Sequence, residues 1–265
     1  MPARSMWNGT LKLGKTRIGV KLYAAVEDSA VHFHLLHPRD HERVKQRMVN
    51  PVSGEAPEKD EIRHGFELER GTFVLISDDE LAELEPEPSR DIVIERFVPE
   101  VAIGPAWYER PYFLGPSGKS QDYFALARAL SDGKLVGLGR WVMRKREYHG
   151  ALRAHGEHLM LSSLHARDQV LEPPKVKPLA RAADERELAM AEQLVEALAG
   201  EFDPGEFRDD HRERVLELIA AKAKGKHPKP PPRERRRPAR DLGTALEQSL
   251  KQLRKQPDQK ERLSA

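Results

Sequence analysis

The sequence predicts a mixed, β-rich α/β fold: a largely antiparallel sheet or barrel, followed by a helical segment. Three observations lead there. Short runs with period-2 alternation recur up to residue 164, two amphipathic helices interrupt them, and no strand-then-helix rhythm repeats as a doubly wound sheet requires. At 265 residues the chain can bury one large core with a smaller appendage.

Taken in order, Thr10 to Ala25 reads as one strand, with Ile18, Val20 and Leu22 alternating with Arg17, Gly19, Lys21 and Tyr23. Val31 to Leu36 alternates similarly and is expected to be a second strand. Gly71 to Ile76 and Asp91 to Val98 are β-branched runs bounded by Gly, Pro, Asp and Ser. Between them Ser77 and Glu80 form a capping box, which predicts a short helix that Pro86 and Pro88 terminate. Pro111 to Gly115 is a strand fragment before the turn-rich Pro116 to Ser120. Asp122 to Ser131 carries Tyr123, Leu126 and Leu130 at helical spacing, with Gly133 as the expected stop. Val136 to Arg146 and Leu159 to Leu164 are the last expected strands.

Character changes at Glu172-Pro-Pro-Lys-Val-Lys-Pro178, an extended linker. Beyond it Leu188, Ala191, Val195 and Leu198 form an apolar stripe with Leu194 beside it, ending at Gly200. Val215, Leu218 and Ile219, flanked by Leu216, form a second, and the spacer carries Phe202 and Phe207. Two such helices make an αα-hairpin with too small a core to stand alone, so it should dock on something. The Pro/Arg-rich stretch from 228 to 238 cannot pack a core and reads as disordered, with a short amphipathic helix possible over 241–254. The expected division is 1–172, a linker 173–183, the hairpin 184–225 and a basic tail 226–265.

Composition narrows the function classes. No cysteine is present, which excludes disulfides, thiolate metal sites and cysteine nucleophiles. Mean hydropathy is −0.67 and no apolar run approaches the roughly 20 residues of a membrane span. The opening Met1 to Gly9 lacks the apolar region of a secretory signal, so the expected location is cytoplasmic. Net charge is +2, but from Lys222 onward seven Lys and seven Arg face five acids, a net of +9. The remainder therefore carries −7. A basic tail on an acidic body suggests a polyanion partner, and any such site on the body requires local clustering.

Catalytic and metal constellations are weak. His32, His34, His37 and His41 lack metal-ligand spacing and read as packing or surface histidines. Asp78, Asp79 and Glu80 are explained by a helix start, and Asp91 with Glu95 pairs too loosely for a two-metal nuclease. Neither phosphate-binding glycine loops nor a nucleophile elbow occurs, so no enzyme and no cofactor are expected. More informative are cationic rows. Arg17 with Lys21, the cluster Arg39, Arg43, Lys45 and Arg47, and Arg140, Arg144 and Arg146 on one expected strand face suit a phosphate backbone. Aromatics are 6 % of residues and sit mostly in apolar patterns, which favours a duplex over a single strand. Lys222, Lys224, Lys226, Arg235, Arg236 and Arg237 extend the set into the tail.

Several blocks resemble the bacterial Ku proteins. They are Trp7 to Gly14 with Val20 to Ala24, His64 to Val74 with Ser77 to Leu81, Ile94 to Val98, and Pro111 to Pro116 with Tyr123 to Leu130. Arg146-Glu147, Glu187 to Leu194, Phe202-Asp-Pro204, Ile219 to Gly225 and Asp241 to Leu250 continue the likeness in order. One departure is Asn50-Pro-Val-Ser-Gly54, where many relatives carry Cys-x-x-Cys-Gly. The resemblance implies a β-barrel core with dimerisation arms, a homodimeric ring threaded by double-stranded DNA ends, and repair by non-homologous end joining. It also implies a nucleoid-associated location and a helical segment that recruits a multidomain ATP-dependent DNA ligase of the ligase D type. Leu188, Leu194, Leu198, Phe202 and Phe207 are the candidate apolar surface for that partner, and packing within the hairpin accounts for them equally well. An architectural protein that coats duplex DNA without needing ends is the alternative, and a metal-dependent nuclease a more remote one.

Overall fold

A computed structural model describes residues 4–58, 60–118, 120–174 and 184–225. Contacts divide it into two compact units, Met1–Ser29 with Phe33–Glu172, and Ala30–His32 with the described residues from Pro173 onward. Within the first unit lie nine strands: β1 Trp7–Leu13, β2 Thr16–Ala24, β3 His64–Glu69, β4 Thr72–Ile76, β5 Asp91–Pro99, β6 Tyr108–Pro116, β7 Leu135–Met143, β8 Arg146–His155 and β9 His158–Leu164. Helix α1 is Asp78–Glu83 and α2 is Gln121–Gly133.

Seven strands close into a barrel in the order β1-β2-β6-β9-β8-β7-β5. Neighbours are antiparallel except at the seam, where β1 runs parallel to β5 with Leu11 opposite Ile92. A parallel pair cannot be joined by a tight hairpin. The chain between β2 and β5 supplies the long connection, and in it β3 and β4 pair as a two-stranded ribbon separate from the barrel, the arm of this unit.

Alternation sorts the barrel's side chains. Leu11, Ile18, Val20, Leu22, Ile92, Leu114, Trp141, Leu152, Leu159 and Leu161 are buried inside, and α2 adds Tyr123, Ala127 and Leu130 to the same core. The Tyr123 hydroxyl donates to the Leu114 carbonyl and accepts from the Leu159 amide at 2.8 Å, so one side chain pins α2 to both β6 and β9. Burial raises its pKa above the ordinary tyrosine value, which keeps the phenol a donor. Trp141 stacks on Tyr148 with ring centroids 5.4 Å apart. Its ring also occupies the space over Gly150, where a Cβ would come within 2.4 Å of the indole.

Four expectations need correction. The run 10–25 is not one strand but the β1–β2 hairpin, turned at Gly14 with φ 57°. Val31 to Leu36 forms no strand: a single bridge joins Leu36 to Arg43, and Phe33, Leu35 and Leu36 remain exposed. Alternation alone does not make a strand. The run 136–146 breaks at Arg144-Lys145, and the following residues form β8, which the sequence reading had not marked as a strand. Gly133 lies inside α2; Lys134 with φ 49° makes the left-handed turn, donating to Leu130 and Ser131. The ribbon strand β3 was likewise unmarked. Helix α1 starts as expected, with Ser77 and Glu80 bonded reciprocally.

The second unit holds α3, Glu185–Leu198, and α4, Asp210–Ala223. Asp184 caps α3 through a second capping box and Asp209 caps α4. Neither helix has a buried residue, which agrees with a segment too small to form its own core. Residues 175–183, the tail and the expected helix 241–254 lie outside the described residues.

Candidate nucleic-acid interface

The cationic rows do not fare alike. On β2, Arg17 and Lys21 point outward between the buried Ile18, Val20 and Leu22. Arg17 faces Lys12 across the hairpin, and Lys12 is neutralised by Asp91. No carboxylate among the described residues pairs with Arg17 or Lys21. Both cations on this outer face are available to an anion.

Arg140 is different. Its guanidinium lies 3.1 Å from Glu95 and 3.4 Å from Glu147, one acid from each neighbouring strand. Such a side chain is committed to cross-strand ion pairs and is poorly placed to take a phosphate. Arg144 and Arg146 do not share its strand face, because the hairpin turns between Met143 and Arg146. Arg144 and Lys145 have φ of 52° and 63° and form the turn itself. Lys145 reaches Glu85 at 3.0 Å, while Arg146 lies 5.7 Å from the Tyr148 ring centroid in cation–π geometry.

On the arm, Arg39 stands at the tip of a small loop braced by His37 on Asp40 at 3.0 Å, with His41 in left-handed conformation at φ 58°. Arg43 lies at the bridge to Leu36, and Lys45 and Arg47 follow on exposed chain. Asn50 accepts the Val52 and Ser53 amides and so builds the turn at 50–54 by side-chain capping. In the second unit, Lys222 sits in the last turn of α4, where the helix dipole favours a cation, and Lys224 is its C-cap. Lys226, Arg235, Arg236 and Arg237 lie outside the described residues.

The expected partner-facing residues on α3 and its loop are solvent-facing. Leu188 and Leu198 are exposed, Leu194 is half-buried, and Phe202 and Phe207 lie with ring centroids 5.1 Å apart in a tilted pair while each remains more than 70 % exposed. Among the described residues no three His, Asp or Glu side chains gather as metal ligands, and no helix is long and apolar enough to cross a membrane.

Two features escaped the sequence reading. Both faces of the β3–β4 ribbon are apolar: Phe66, Leu68 and Val74 on one, Phe73 and Leu75 on the other, all exposed. The available signal was Phe66 and Leu68 before Arg70-Gly71 and the unbroken apolar run Phe73 to Ile76 after it. Arg90 is the second. It lies beside the 144–145 turn although 54 residues separate it from Arg144. No local pattern reveals that neighbourhood.

A closed barrel that carries an inserted arm, with exposed cations on both, defines a barrel-and-arm protein. The family model described as the Ku70/Ku80 beta-barrel domain matches residues 12–190. "Non-homologous end joining protein Ku 2" of Geotalea uraniireducens (strain Rf4) is 36 % identical over 260 residues, covering 96 % of this chain and all of that protein. The protein named "Non-homologous end joining protein Ku" in Anaeromyxobacter sp. (strain K) is also 36 % identical, over 98 % of this chain and 89 % of its own length. Its namesake in Koribacter versatilis (strain Ellin345) is 35 % identical over 84 % of this chain and 77 % of its own length. The chain belongs to the Ku family.

Proposed function

We propose that this protein is a homodimer that encircles the ends of double-stranded DNA without sequence specificity and serves non-homologous end joining. The observation that carries the reading is likeness over nearly the whole chain to relatives named for that process, 36 % identical over 96 % of it. The ribbon supports the dimer. A two-stranded hairpin is at best marginally stable alone, and one with apolar side chains on both faces needs cover on both. A second copy of the arm supplies that cover.

Threading explains an end preference without any base contact, since a closed collar admits duplex only at a free terminus. Affinity then comes from phosphate contacts made by Arg17, Lys21, Arg39, Arg43, Lys45, Arg47, Arg144 and Arg146. Each contact steepens the salt dependence by about 0.9 in log–log slope. Arg140, held between two carboxylates, is left out of that set. The tail cations from Lys226 onward add non-specific retention on DNA. The exposed apolar surface of Leu188, Leu194, Leu198, Phe202 and Phe207 is where we place an ATP-dependent DNA ligase of the ligase D type.

A gel-shift comparison of linear with covalently closed circular DNA of the same sequence tests the reading. Linear DNA alone is expected to shift. Equal capture of both forms would instead favour an architectural protein that coats duplex regardless of ends.

A further inference from the structure

The β7–β8 turn is built from the wrong residues for its geometry. A two-residue hairpin loop with positive φ at both positions is a type I′ turn, which favours Asn-Gly and disfavours long side chains. Here Arg144 and Lys145 occupy it at φ 52° and 63°. Local rules broken at a tight turn mark a place where the side chains are kept for another reason.

That turn forms one wall of an open cavity of about 330 Å³, lined by Trp7, Pro88, Ser89, Arg90, Val142, Met143, Arg144 and Lys145. The lining contains three cations and no carboxylate. Lys145 is partly offset by Glu85 at 3.0 Å, whereas neither Arg90 nor Arg144 meets a carboxylate among the described residues. The lining residues taken with Glu85 therefore carry a net charge of about +2. Trp7, half-buried against the barrel core, gives the same space an aromatic wall. The volume is at the lower end of small-ligand pockets, enough for one nucleotide.

We propose that this cavity is a pocket for a phosphomonoester, whose two negative charges match the two unpaired guanidinium groups, with the attached nucleoside against Trp7. An internal phosphodiester carries one charge and is a poorer match. Two sources offer the same chemistry: the 5′-phosphate at the end of a DNA strand, and a free mononucleotide. The first rests on the end-binding reading above; the second does not.

Three measurements on the full-length protein test it. Affinity is compared for one duplex bearing 5′-phosphate or 5′-hydroxyl ends. Thermal stability is measured with thymidine 5′-monophosphate against thymidine. Both are repeated in R144N/K145G, which gives the turn its favoured residues and should therefore fold at least as stably, and in R90Q. A preference of about tenfold for phosphorylated ends is expected, the size of a few charge-assisted contacts, with the ratio collapsing toward one in both variants. Thymidine 5′-monophosphate, but not thymidine, should raise Tm by about 3 °C at saturation in the native protein only. A nucleotide effect without an end preference supports the pocket and makes the free nucleotide its ligand. If phosphorylated and hydroxyl ends bind alike and the nucleotide changes nothing, the pocket is overturned while end binding stands. If no duplex binds but the nucleotide stabilises, the pocket stands and the end-binding reading falls.

Discussion

The barrel and the ribbon use the same residue types to opposite effect. Leu11, Leu22, Leu152 and Leu161 are wholly buried in the barrel, whereas Phe66, Leu68, Phe73 and Leu75 on the ribbon are each about 60 % exposed or more. Both contain antiparallel hairpins of apolar-rich strands. What separates them is closure: seven strands curl round and supply one another's inner face, and two cannot. An alternating run is therefore a demand for cover, and the number of strands decides whether the chain meets that demand by itself.

The sharpest way to break the comparison is to remove the demand. Phe66→Asp combined with Phe73→Asp should weaken self-association at least hundredfold, as loss of two aromatic anchors does at an interface, and light scattering should report half the native mass. The barrel's own transition should persist in the double variant. A native protein that is already monomeric would end the dimer proposal.

Within the barrel the largest effect belongs to Trp141. Its truncation to Ala should cost about 3–5 kcal/mol in chemical denaturation, because the closed sheet cannot collapse onto the space left over Gly150. Tyr123→Phe leaves the packing but strands the Leu114 carbonyl and the Leu159 amide. Roughly 2 kcal/mol is expected, with faster amide exchange at Leu159. A value near zero would show that α2 is held by its apolar face alone.

The smallest effect lies on the arm, at α1. Bonds from the Ser77 amide and hydroxyl lower the Glu80 pKa below the usual carboxylate value. A depressed folded value means that its stabilisation is complete above the unfolded pKa and is lost as pH falls through the folded one. Amide exchange at Leu81 and Leu84 should rise in that acidic window and already be raised at neutral pH in Glu80→Gln. Barrel amides should not respond.

Much of the fold was readable because its signals are local. The two-residue period around Val20, the capping box at Ser77 and the apolar spacing of Tyr123 with Leu130 each depend on a few adjacent residues. What failed, failed for want of local signal. Val31 to Leu36 alternates as well as a true strand, but among the described residues its one bridge is Leu36 to Arg43. The turn at Arg144-Lys145 carries neither Asn nor Gly, so two strands read as one and Arg140, Arg144 and Arg146 do not share the face their spacing predicts. Of the cationic candidates, the pair on β2 was legible from alternation, whereas the fate of Arg140 depended on acids two strands apart.

The amino-acid order alone determined the alternation around Val20, the start of α1 at Ser77 and the absence of cysteine chemistry, since each follows from neighbouring residues. The tertiary structure alone decided the parallel seam between β1 and β5, the neutralisation of Arg140, and the meeting of Arg90 with the 144–145 turn. Those depend on chain closure between residues far apart in sequence, where charge and packing are set by geometry that no local period encodes.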